Sequence, residues 1–318
     1  MIGKTRHVEA RTDARNSPRP RAEFGQGCGI LRHSTSPDAY RHWRYAPPIE
    51  LAGWIEHFWL EEWRIDSSVT QTREVLPHPS VQLVFAAERS RIYGVQLGRF
   101  ARQLVGEDRI LGIKFRPGAF YPFLRKPVSS LADAAISVTE VFRDAHAVER
   151  EVLAGNHDED MVQAATRFLM ARLPPEDAYA DRARRIVEEI AGDSSITRVE
   201  HLVDRWGIHE RTLQRIFDRY VGASPRWVIK RYRIYEALES MGAEMQTGWA
   251  GLAQNLGYFD QAHFTNDFRK LVGCSPSEYV RPLPDRESAK IRSDEGGGAS
   301  GAIVQRDGIR LPLRRRLE

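Results

Sequence analysis

Only two cysteines occur in the 318 residues, Cys28 and Cys274, and they lie far apart. That excludes a disulfide scaffold and a four-cysteine zinc site, and it suits a reducing, cytoplasmic setting. No run of about 18 apolar residues is present, so no membrane-spanning helix is expected. No apolar stretch follows Met1, which argues against a secretory signal. A strong charge excess is also missing. The formal charge is +4, with a pI of about 9.1, which is weak support for a polyanionic partner. Nucleophile elbows, phosphate loops and H-E-x-x-H motifs are lacking, so neither an enzyme nor a bound cofactor is expected.

What is present divides the chain. Residues 1–36 are rich in Arg, Gly, Ser and Pro without apolar periodicity and read as a flexible arm. Residues 37–175 read as an N-terminal regulatory, effector or association domain. Its first part is strand-like, with apolar runs at Phe58-Trp59-Leu60, Val81-Gln82-Leu83-Val84-Phe85 and 110–115, separated by turns such as Pro77-His78-Pro79-Ser80. After Arg116-Pro117-Gly118 the pattern turns helical, with candidate helices at 120–124, 138–146 and 161–173. Pro174-Pro175 ends the last of them. Residues 178–283 form a second domain, and 284–318, with the run Arg314-Arg315-Arg316, read as a disordered tail.

The second domain contains a duplication. Leu202, Val203, Trp206 and Gly207 align with Leu252, Ala253, Leu256 and Gly257. After one extra residue in the second unit, Leu213, Phe217, Gly222, Ser224 and Pro225 align with Phe264, Phe268, Gly273, Ser275 and Pro276. Val199, Leu202, Val203 and Trp206 fall on one helical face, started by a capping box at Thr197-Arg198-Val199-Glu200 and stopped by Gly207. A second helix buries Leu213, Ile216, Phe217 and Tyr220. Two short helices around a glycine turn make a helix-turn-helix. Ser224 and Pro225 start a rod of some 17 residues that separates the two units, studded with Arg226, Lys230, Arg231 and Arg233. The expected class is therefore α+β: a β-rich, sensor-like domain with a helical extension, then an all-α domain of two helix-turn-helix units joined by a long helix.

The outer faces carry the chemistry. Arg211, Arg215 and Arg219 recur every four residues as one stripe, with Gln214 beside them. Arginine forks match the O6 and N7 edge of guanine, and glutamine pairs with adenine. A solvated charged face, balanced by Glu210 and Asp218, is the plainer alternative for a lone helix. In the second unit Gln261, His263, Thr265 and Asn266 make a polar outer face, with Asp260 as N-cap. Arg269 and Lys270 suit phosphate contacts, and Arg219 joins them. His263 suits groove contact and packing against the preceding helix equally.

These residues resemble the AraC/XylS family of bacterial transcription regulators, over about 183–281. The R-x-L-x-R-x-F pattern (Arg211, Leu213, Arg215, Phe217), the two G-x-S-P segments, Gly257-Tyr258 and the segment between Phe264 and Phe268 carry the resemblance. It implies two recognition helices in successive major grooves. By position, the DNA-facing candidates are His209, Glu210, Arg211, Gln214 and Arg215 in the first unit, and Gln261, Ala262, His263 and Asn266 in the second. It implies double-stranded DNA and RNA polymerase as partners, and leaves a small-molecule effector and a homodimer open. His209 stands where serine, a better helix cap, is frequent. Asn266 stands where arginine is frequent, and Asp267 follows it, so the second unit suits anchoring more than reading. Residues 75–80 and 114–118 resemble a domain found ahead of AraC-type readers.

In the N-terminal half, Trp43, Trp54, Trp59 and Trp63 suit a core or a pocket. His42, His57 and His78 raise a metal hypothesis, but their spacing supplies no convincing ligand set, so no metal is expected. Arg116 suits an anionic effector, or else Pro117 starts a helix there. A partner-binding surface is the remaining reading of this half. Alkyltransferases that carry an AraC-type unit need reactive and zinc-binding cysteines that two distant thiols do not supply.

Overall fold

The computed structural model describes residues 20–21, 30–32, 39–68, 70–87, 89–241 and 248–280. Cys28, most of the arm, and the tail with its arginine run lie outside the described residues.

Two stretches expected to belong to a flexible arm are instead strands, β1 (Pro20–Arg21) and β2 (Ile30–Arg32). Each adds to a sheet edge through main-chain pairing, which needs no apolar period. They are followed by β3 (Tyr40–Tyr45), β4 (Ile55–Arg64), β5 (Gln71–Val75), β6 (Gln82–Phe85), β7 (Arg91–Tyr93), β8 (Phe100–Leu104), β9 (Glu107–Phe115) and β10 (Ala135–Ser137). A seven-stranded antiparallel sheet runs β1-β3-β4-β9-β6-β7-β10, and a three-stranded one runs β2-β5-β8.

Alternation along the strands gives the large sheet two different faces. Phe58, Leu60, Leu83, Phe85, Ile113 and Phe115 are buried in a core shared with the helical extension. His57, Trp59, Glu61, Gln82, Val84 and Lys114 line a cavity with Arg73, Val75, Phe100 and Arg102 of the small sheet. Gly112 has no side chain because the Trp59 ring lies there; a Cβ would sit 1.9 Å from it. The four tryptophans divide accordingly. Trp43 and Trp54 pack on the helix side, and Trp59 and Trp63 pack in a smaller cluster with Ile65, Leu104 and Ile110.

The extension comprises α1 (Tyr121–Leu124), α2 (Ala145–Leu153) and α3 (Asp158–Met170). Two expectations shift here. Pro117 opens a turn, not a helix, because Gly118 is left-handed at φ +85° and delays the helix to Tyr121. Of the helix expected at 138–146, residues 138–144 hold only a single 3-10 turn, Val138–Glu140, closed by a capping box between Ser137 and Glu140. The helix itself begins at Ala145.

The C-terminal region is all helical: α4 (Ala178–Gly192), α5 (Val199–Trp206), α6 (Glu210–Ile216) with a following π turn (Phe217–Val221), α7 (Pro225–Ser240), α8 (Gly248–Asn255), α9 (Gln261–Val272) and α10 (Pro276–Tyr279). It shares its cores with the β-rich part. Val95 is buried among Ile186, Leu213 and Phe217, and Leu76 among Ile234, Phe264 and Phe268. Burial of such a side chain contributes roughly 1.5–3 kcal/mol. The architecture is α+β, with the β-rich part first, as the sequence implied. Among the described residues no helix is long and apolar enough to cross a membrane.

Candidate nucleic-acid interface

The duplication in the sequence is a duplication in backbone. Gly207 and Gly257 end the first helix of each unit at φ +57° and +77°. Gly222 and Gly273 end the second at φ +87° and +90°. Ser224 accepts from the Trp227 amide at 3.2 Å, and Ser275 accepts from the Glu278 amide at 3.3 Å, so both units hand over to a serine-capped helix. Asp260 caps α9 by accepting from the His263 amide at 2.7 Å, and that bond holds its carboxyl below the usual range.

The capping box expected at Thr197 does not form. Arg198 is the N-cap of α5 and makes no side-chain cap bond. Thr197 is committed elsewhere: its side chain fills the space beside Gly257 of the second unit. A second tie, Lys230 to Asp267 at 2.5 Å, joins α7 to α9. Together they set the spacing of the two units.

Between the units lies a cleft of about 910 Å³. Arg198, Arg226, Lys230 and Lys270 line it with Gln214, His263 and Asn266, while Glu200, Glu210 and Asp267 supply opposite charge. His209, the N-cap of α6, and Glu210, Arg211, Gln214 and Arg215 on it are all exposed. Gln214 donates to Glu210 at 2.8 Å. Neither Arg211 nor Arg215 makes an ion pair among the described residues, so both guanidiniums face solvent. On α9, Gln261, Ala262, His263 and Asn266 are exposed, as are Arg269 and Lys270 in its last turn. His263 is 69% exposed and lies beside Asp260, so it is not packed against α8.

Three placements depart from the sequence reading. Arg219 does not continue the stripe of Arg211 and Arg215. It lies in the π turn, marked by the Gly222 amide donating to the Phe217 carbonyl at 2.8 Å. It donates to the Tyr121 hydroxyl and stacks on that ring at 4.5 Å, and the bond raises its pKa. Two of the four basic residues on α7 face inward. Arg233, 1% exposed, donates to the Ile190 carbonyl at 2.6 Å and the Asp193 carbonyl at 3.1 Å, serving the end of α4. Arg231, 3% exposed, donates to the Pro77 carbonyl. Arg116 is likewise structural, donating to the Ala52 carbonyl at 2.6 Å.

Sequence reasoning missed Arg198 and Phe259. Phe259 is 93% exposed beside the start of α9, at the mouth of the cleft. An aromatic between the glycine turn and the cap of α9 was the available signal. Among the described residues no group of three or more His, Cys, Asp or Glu is placed to hold a metal ion.

Paired helix-turn-helix units with exposed polar and basic outer helices define a nucleic-acid-binding protein. Comparison with known proteins makes this specific. Residues 202–282 match the family described as "Helix-turn-helix domain", and residues 43–137 match "Domain of unknown function (DUF6597)". The chain carries an AraC-type helix-turn-helix domain behind a DUF6597 domain and is a DNA-binding transcription regulator. Among solved structures it is similar to ToxT of Vibrio cholerae. An apo variant is 11% identical, with a TM-score of 0.33 over 79% of this chain and 94% of that one. The wild type bound to an unsaturated fatty acid is 12% identical, with a TM-score of 0.32 over 79% and 98%. No curated protein matches the sequence.

Proposed function

We propose that α6 and α9 enter successive major grooves on one face of the duplex, and that the sugar-phosphate backbone between them occupies the cleft. The observation that carries this reading is the exposure of two equivalent helix faces on either side of one polar cleft, at a spacing set by Thr197 against Gly257 and by Lys230 with Asp267. The rod α7 has 16 residues, about 24 Å at 1.5 Å per residue. Successive major-groove faces lie about 34 Å apart, which a rod of that length with a helix at each side can bridge.

In this reading Arg211 and Arg215 read bases with Gln214, flanked by His209 and Glu210. Gln261, Ala262, His263 and Asn266 contact the second groove. Arg269 and Lys270 hold phosphates, joined by Arg198 and Arg226. The cytoplasm is the compartment where such a regulator meets DNA and RNA polymerase. The region of residues 37–175 is the regulatory part, which receives an effector or a second copy of the chain, and residues 178–283 are the reading part.

The test is a pair of substitutions in the full chain. Arg211→Ala should cost about 1–3 kcal/mol of affinity and relax preference at one base position. Asn266→Ala should change preference about one helical turn away. Unchanged affinity and preference for both variants would remove this docking.

A further inference from the structure

The cavity between the two sheets has a volume of about 170 Å³, and Arg231 of α7 is among the residues that line it. Its charge is one-sided: Arg44, Arg73, Arg102, Lys114 and Arg231 line it against one carboxylate, Glu61. Lys114 is paired, at 2.9 Å from Glu56. Arg73 is not so provided for. It is 4% exposed, and none of its three guanidinium nitrogens makes a hydrogen bond. The nearest carboxylate oxygen, on Glu61, stands 3.7 Å away and is shared with His42 at 3.3 Å. Below it the guanidinium rests on the Tyr40 ring at 3.7 Å.

The ladder adds a second, independent anomaly. Arg73 of β5 stands directly opposite Arg102 of β8. Like charges in that relation repel, and a buried cation short of hydrogen bonds is strongly unfavourable. Both penalties are relieved by one anion between the two strands. The remaining wall is mixed: Val75, Val84, Tyr93 and Phe100 give it an apolar and aromatic part, and the histidines with Gln82 and Gln96 a polar one.

We propose that this cavity binds a small organic anion: a carboxylate carried on a single ring or a short chain, with the acid group on Arg73 and Arg102 and the body against Val84 and Phe100. A carboxylate accepts two parallel bonds from a guanidinium, the geometry Arg73 lacks a partner for. The volume lies below the ~300–1,000 Å³ of pockets for drug-sized ligands, so the acid is small. The proposal rests on the regulatory reading of the N-terminal half. Arg231 places the rod between the two DNA readers in the wall of the same cavity, so occupancy and DNA affinity are coupled, and the coupling is reciprocal.

Thermal unfolding of the full chain tests it, with benzoate and hexanoate as acids, benzamide and hexanamide as neutral counterparts, and inorganic phosphate as a bodiless anion. The expected result is a Tm rise of at least about 3 °C with one of the acids and none with the amides or phosphate. Arg73→Met without ligand should melt no lower than the parent and should lose the response. Arg102→Gln, at a half-buried position, gives the same readout should Arg73→Met fail to fold. Absence of a shift with both acids, an equal shift with an amide or phosphate, or a response that survives Arg73→Met overturns the proposal. DNA binding of the untreated chain, measured alongside, separates its failure from failure of the DNA-reading assignment.

Discussion

Arg231 on α7 donates its Nε proton to the Pro77 carbonyl oxygen at 2.6 Å, linking the rod of the DNA-binding region to a loop of the β-rich part. Its guanidinium also stacks on Tyr232 and Tyr235 at 4.9 and 5.0 Å. Arg231→Ala therefore removes a buried hydrogen bond and two ring contacts at once. A loss of about 2–4 kcal/mol is expected, read as a lower urea midpoint with an unchanged slope. A change under about 0.5 kcal/mol would mean the contact contributes nothing.

The same link predicts how the whole chain melts. Leu76 and Val95 complete cores built mainly from the C-terminal helices, so removing the β-rich part opens both. Calorimetry of the full chain should give a single transition. Residues 178–283 alone should melt well below it. Two resolved transitions in the full chain would contradict the shared cores.

Burial pulls the His57 pKa down to about 4, outweighing the opposing hydrogen bond to Glu56. Its ordinary value is 6.5. Between those values the unfolded chain binds a proton that the folded chain refuses, so stability falls as pH drops from about 6.5 to about 4. The contribution reaches at most about 3 kcal/mol. His57→Gln should flatten the difference in urea midpoint between pH 7 and pH 5. Identical pH dependence in variant and parent would count against a buried neutral imidazole.

The stacking of Arg219 on Tyr121 separates it from the other phosphate candidates. Arg269→Ala should reduce the slope of log affinity against log salt by about 1, the loss of one phosphate contact. Arg219→Ala should leave the slope unchanged, and Tyr121→Ala, which frees the arginine, should steepen it. A full unit lost on Arg219→Ala would show that DNA competes the arginine away from Tyr121.

The duplicated units were legible in the sequence because their grammar is local. Helical periodicity, a glycine at each helix end and a serine-proline start each depend on residues within one turn, and Ser224, Gly207 and Asp260 behave accordingly. Thr197 shows the limit: its capping pattern is intact, but packing against Gly257, sixty residues away, takes the side chain. Arg231 and Arg233 sat among basic residues that suggested a solvated rod, and their acceptors, the carbonyls of Pro77, Ile190 and Asp193, carry no sequence signal. The cavity was hidden for a similar reason. His42, His57 and His78 were recognisable as unusual, but only the pairing of the strands, and for His78 the loop between β5 and β6, brings them into one cavity with Lys114, Arg73 and Arg102.

The most direct test of the central claim is selection of bound DNA from a random library by the full chain at near-physiological salt. Two short motifs about one helical turn apart are predicted, one read by α6 and the other by α9. A single motif, or no enrichment, would contradict reading by both units.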